Sequence, residues 1–71
     1  MNDIKELAVQ VEQVHVCMNF LVEFFDGDYM DVTRWWYSAN PAFGDSSPNT
    51  LVIAGRGHKV LEFILSAMEK E

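Results

Sequence analysis

The chain has few of the residues that commit a small protein to a specialised chemistry. Cys17 is the single cysteine in 71 residues, which excludes an intramolecular disulfide and any cysteine-rich zinc site and fits a reducing cytoplasm. Basic side chains are scarce: five Lys and Arg stand against eleven Asp and Glu, for a formal net charge of −6. Proteins that hold DNA or RNA neutralise phosphates with clustered Lys and Arg. The acidic balance therefore speaks against nucleic acid and against an anionic membrane surface, and suits a soluble protein or one that meets a basic partner. No stretch approaches the roughly 18 consecutive apolar residues of a membrane span. The opening MNDIKELAVQVEQ carries charges throughout and does not read as a secretory signal. Proline occurs twice, and both copies fall in one stretch, Asn40-Pro41 to Ser47-Pro48.

Apolar content is high by contrast, with a hydrophobic fraction of 49% and an aromatic fraction of 13%. A chain this short buries only about 60% of its unfolded surface, so a single domain over residues 1–71 is expected, with thin stability to which a partner or a second copy contributes. In the first third, Ile4, Leu7, Ala8, Val11, Val14, Met18, Leu21, Val22 and Phe25 recur at steps of three, four and one, the helical period. Asp3 and Glu6 are spaced as a capping box, and Gly27 is placed to close the helix in a left-handed conformation. The spacing predicts one long amphipathic helix from about 3 to 26. A helix of nearly seven turns is longer than three short helices can cover, and its stripe is close to a heptad seam. A homodimer through this first helix is therefore expected.

A second helix is expected from about 29 to 39, with Asp28 as N-cap and Asp31 adding charge where the helix dipole favours it. Its tryptophans, Trp35 and Trp36, point about 100° apart, so one faces the core and the other a rim or interface. Asn40-Pro41 ends this helix, because a residue before proline disfavours helical angles. Ser47-Pro48 begins a third, since serine caps well and proline is favoured at the first helical position. It runs through Leu51 to a stop at Gly55. A final helix over about 58–69 carries Val60, Leu61, Ile64, Leu65 and Met68 on one face, with Phe63 off that stripe. The expected fold is all-α, four helices with short connections.

The stretch WWYSANPAFGDSSPNTLVIAGRGHKVLEFILSAMEK resembles the toxin-binding domain at the C-terminus of Xre–MbcA–ParS type antitoxins. The resemblance covers roughly residues 20–70. It rests on the order of a Trp-bearing helix, Asn40-Pro41, Phe43-Gly44, Ser47-Pro48 with Leu51, a glycine corner at Gly55 or Gly57, and Val60 with Ile64. It implies a non-enzymatic module that neutralises a RES-type, NAD-attacking toxin by covering its active site. The helix-turn-helix that usually precedes this domain is missing, so DNA binding is not carried over. Within the motif, Asn40, Pro41, Phe43, Gly44, Ser47, Pro48 and Leu51 read as structural, a stiff corner between the tryptophan helix and the last two. The residues nominated for a partner are Trp35 or Trp36, then Arg56, His58 and Lys59, and the last helix through Glu69, because tryptophan and arginine dominate binding energy at interfaces. The alternative is a small helical oligomerisation or structural domain of a phage or mobile-element protein.

No catalytic constellation, metal site or cofactor is expected. His15 and Cys17 are two apart on a helix and face different ways. Asp26, Asp28 and Asp31 lack the further ligands of a calcium loop and read as cap and loop charges.

Overall fold

In a computed structural model describing residues 2–70, the chain forms four helices: α1 (Asn2–Phe24), α2 (Tyr29–Tyr37), α3 (Pro48–Ile53) and α4 (Gly57–Glu69). A 3₁₀ turn, Pro41–Phe43, lies between α2 and α3. Met1 and Glu71, the two ends of the expected 1–71 domain, lie outside the described residues. Among the described residues there is no strand, only an isolated antiparallel bridge between Asn40 and Ser46. The all-α, four-helix reading with a long first helix is the observed architecture.

Three helices each contribute two core residues one turn apart: Cys17 and Leu21 from α1, Val32 and Trp36 from α2, Val60 and Ile64 from α4. An i, i+4 pair projects from one side of a helix, so each helix presents a single narrow face inward. Leu51 of α3 completes the buried set. The start of α4 comes so close to α1 that a β-carbon on Gly57 would lie 2.9 Å from Oε1 of Gln13. At the other end, Ala67 and Met68 share a cleft with Phe24 and Phe25. The two helices therefore run side by side in the same direction. Gln10 and Gln13 are the α1 residues beside Gly55 and Gly57, and the first two turns of α1 reach past that junction. A 23-residue helix is about 34 Å long, which accounts for a molecule extending 38 Å along one axis and 23 Å along the others.

Asp3, expected to cap α1, lies inside its first turn because Asn2 is already helical; the remaining helix ends follow the local chemistry with two displacements. Asp28 caps α2 through its carboxylate, which accepts from the Asp31 backbone N–H at 3.2 Å. The Ser47 hydroxyl accepts from the Thr50 N–H at 3.1 Å, with Pro48 in the first turn of α3. After α3, Arg56 N–H donates to Leu51 C=O at 2.7 Å and Gly55 N–H to Val52 C=O at 3.0 Å, the paired bonds of a Schellman closure. The same closure ends α1: Gly27 N–H donates to Val22 C=O at 2.8 Å and Asp26 N–H to Glu23 C=O at 3.1 Å. The left-handed residue at the critical position is therefore Asp26 (φ 54°), with Gly27 (φ 81°) following it. The sequence places Gly27 in that role and the helix end at 26. The helix stops at Phe24 because Asp26 tolerates the left-handed region.

The second displacement concerns α2, which ends at Tyr37 and not near 39. Ser38 is already extended, and the chain turns into a loop that closes on itself. Asn40 organises this loop. Its side chain accepts from Ala42 N–H at 3.0 Å. Its carbonyl accepts from both Phe43 N–H (2.9 Å) and Asp45 N–H (3.1 Å), and its N–H donates to Ser46 C=O at 3.1 Å. Gly44 sits at φ 62° with nothing within 4 Å of a built β-carbon. Its role is thus conformational, since a side chain there would meet backbone strain and no clash. The stiff corner expected between the prolines is a closed ring of backbone hydrogen bonds.

Candidate functional site: an aromatic ridge between two clefts

Two tryptophans in a row divide their labour. Trp36 is 4% exposed, and its indole N–H donates to Oδ1 of Asn49 at 3.1 Å, tying α2 to α3. Trp35, turned about a quarter of a circle away, is half-buried. Its ring stacks on Phe63 of α4 (centroids 6.2 Å apart, planes 18° apart) and meets Phe43 edge-on at 6.4 Å. Phe43 and Phe63 close the triangle at 5.2 Å, also edge-on. Three rings within the 4.5–7 Å range of favourable aromatic pairs form a cohesive unit. They come from three separate elements: α2, the 3₁₀ turn and α4.

This ridge separates two concavities. On one side a cleft of about 450 Å³ is lined by Ala42, Phe43 and Phe63, with the charged side chains of Arg56, Lys59 and Glu62 at its mouth. Lys59 and Phe63 lie one helical turn apart, so cation and ring occupy the same strip of α4. On the other side a smaller cleft of about 220 Å³ is almost wholly apolar, lined by Phe24, Phe25, Trp35, Phe63 and Met68. One flank of the ridge can therefore meet charge and the other can meet only hydrocarbon.

Of the nominated partner residues, the structure brings Trp35, Arg56 and Lys59 to this face and leaves three elsewhere. Trp36 belongs to the core. His58 is exposed on another side of α4, at a shallow cleft shared with Lys5, Gln10 and Gly55. Glu69 is exposed at the far end of α4, more than three turns from Arg56. Phe63 is singled out only as part of the last helix. The signal was its position off the apolar stripe of α4 and one turn after Lys59, where the side facing the core cannot use a ring. Of the motif residues, Pro48 and Leu51 are buried, and Asn40 and Ser47 act through the hydrogen bonds described above.

The remaining reactive side chains are dispersed. Cys17 is sealed in the core, and burial pushes its thiol up from the ordinary 9.0 to about 11, partly opposed by a backbone hydrogen bond. A thiol held protonated is a poor nucleophile. His15, two residues away, points to solvent. Asp28 is a helix cap, and Asp31 pairs with Arg34 at 3.0 Å on an exposed surface. Among the described residues no three His, Cys, Asp or Glu side chains gather as a metal site would require, and no helix is long and apolar enough to cross a membrane. Comparison of the chain with protein-family models, curated proteins and solved structures returned no match.

Proposed function

We propose that this protein is a non-enzymatic protein-binding module that docks through the Trp35–Phe43–Phe63 ridge and blocks the surface it covers. The observation that carries the reading is the ridge itself: three mutually packed rings at the surface, with a charged cleft on one flank and an apolar cleft on the other. Aromatic side chains clustered with arginine are the usual centre of an interface. Rings already packed against one another also lose little freedom on binding. Arg56 and Lys59 stand out in a chain of net charge −6 and select an acidic edge on the partner. The resemblance to the antitoxin toxin-binding domain makes a RES-type toxin the first partner to try. Its active site would be occluded by the module, with no chemistry performed by the module itself.

The test is inhibition of NAD consumption by a purified RES-domain toxin on titration with this protein. Stoichiometric inhibition is expected, weakened by Trp35→Ala and by Phe63→Ala by the roughly 30-fold or more that corresponds to about 2 kcal/mol at a hot-spot residue. Ile53→Ala, an exposed position on α3, should leave inhibition unchanged. Absence of inhibition rejects the toxin as partner. Inhibition that survives both ridge substitutions rejects the ridge.

A further inference from the structure

We infer that the free N-terminal half of α1 is a self-association face, covered in solution by the same half-helix of a second copy. Ile4, Leu7, Val11, Val14 and Met18 follow one another at alternating steps of three and four. That alternation is the seam geometry by which one helix receives another. Farther along the same helix, the seam continues through Leu21, which the other helices seal to 4% exposure. At the free end it is open: Ile4 is 71%, Leu7 60% and Val11 61% exposed. Its inner end is not open water either, since Leu7, Val11 and Val14 share a shallow cleft of about 260 Å³ with Val52 of α3. The seam thus leads from an open half-helix to a shallow recess beside α3.

Charge selects the occupant. A second copy also carries −6, so two copies repel unless the contact itself is neutral. The positions that flank the seam, where paired helices place their charges, are Asp3, Ala8, Gln10 and His15, with a single carboxylate among them. Lys5, Glu6 and Glu12 fall outside both seam and flanks. A basic partner would find almost nothing to pair with here, and an anionic lipid surface would find no cationic border. A copy of the same apolar strip meets neither obstacle. The resulting contact is a twofold one, with the same patch on both sides, and it leaves the aromatic ridge near the other end of each molecule unobstructed.

The experiment is analytical ultracentrifugation of the full chain, with circular dichroism as a check on folding. Unaltered protein at high micromolar concentration should sediment at twice the 8.1 kDa chain mass and dissociate on dilution. Leu7→Glu with Val11→Glu should shift it to monomer with helix content retained, because both sites are exposed and glutamate is a good helix former. Phe63→Ala, outside the seam, should leave the dimer intact. A monomer throughout the concentration range overturns the inference. So does a dimer that survives the double glutamate variant, or one that is lost with Phe63→Ala. Monomeric protein that binds phosphatidylcholine–phosphatidylglycerol vesicles through these residues assigns the face to lipid and overturns it as well. If the glutamates unfold the chain, Leu7→Ser with Val11→Ser gives the same readings with no change of charge.

Discussion

The two halves of α1 carry one seam in two environments. From Met18 onward the seam is covered by other helices, with Leu21 at 4% exposure, Met18 and Phe25 partly buried, and Cys17 beside it at 1%. Before Gln10, equally apolar side chains stand in the open. Periodicity is the same in both halves, because it reports which face of a helix is apolar. It does not report what lies against that face. The difference comes from the path of the chain: Gly55 and Gly57 meet α1 at Gln10 and Gln13, and before that junction α1 borders only shallow clefts, with His58 and Gly55 on one side and Val52 on another.

The contrast is tested most severely by truncating the seam in each half. Leu21→Ala should cost about 2–5 kcal/mol in denaturant unfolding, as leucine truncations in cores do. A loss no larger than that of an exposed site would abolish the distinction between the halves. The next effect is seen in alkali. Because the Cys17 thiol is raised to about 11 when folded, the unfolded chain loses this proton first as pH climbs past about 9. Stability is therefore complete below pH 9 and declines toward pH 11. The measurement is the difference in slope between the parent and Cys17→Ala, which should lack this component. Equal slopes would mean that Cys17 is less enclosed than its neighbours require.

A smaller gain is expected where the buried half ends. Asp26 holds a left-handed conformation that costs L-residues about 1–2 kcal/mol and that glycine adopts freely. Asp26→Gly, offset by the added freedom of the unfolded chain, should raise stability by about 0.5–1 kcal/mol in thermal melts. A destabilised variant would show that the carboxylate matters more than the backbone there. The smallest effect belongs to the open half. Leu7→Ala should change the stability of dilute, monomeric protein by no more than about 0.5 kcal/mol. A larger loss under those conditions would mean that the free half of α1 is held by contacts within its own chain.

Much of the architecture was legible in residues whose chemistry is local. Asp28, Ser47-Pro48 and Gly55 mark helix boundaries because each satisfies backbone groups within four residues of itself, and the structure uses all of them in that way. The end of α2 was less legible. Asn40-Pro41 limits the helix, but the point of exit is Tyr37, whose carbonyl the ring of Pro41 four residues on would meet in a continued helix, and Ser38 is already extended. Asp26 was missed for a related reason: glycine is the usual left-handed residue, and the adjacent Gly27 drew the assignment. The aromatic ridge was half visible. Phe43 against a tryptophan follows from the turn between the prolines, but Phe63 arrives from a different helix, and only the fold brings it within 6.2 Å of Trp35. His58 and Lys59 are neighbours in sequence and part company in space, as adjacent residues on a helix must.

The pairing of Trp35 with Trp36 makes the molecule its own optical gauge. The inner indole is enclosed and bonded to Asn49, so its emission follows the closure of α2 on α3. The outer indole lies on the ridge between two clefts, so its emission follows whatever comes to rest there. Replacing either one with phenylalanine would isolate the other signal, separating assembly of the domain from occupation of its surface without any added label.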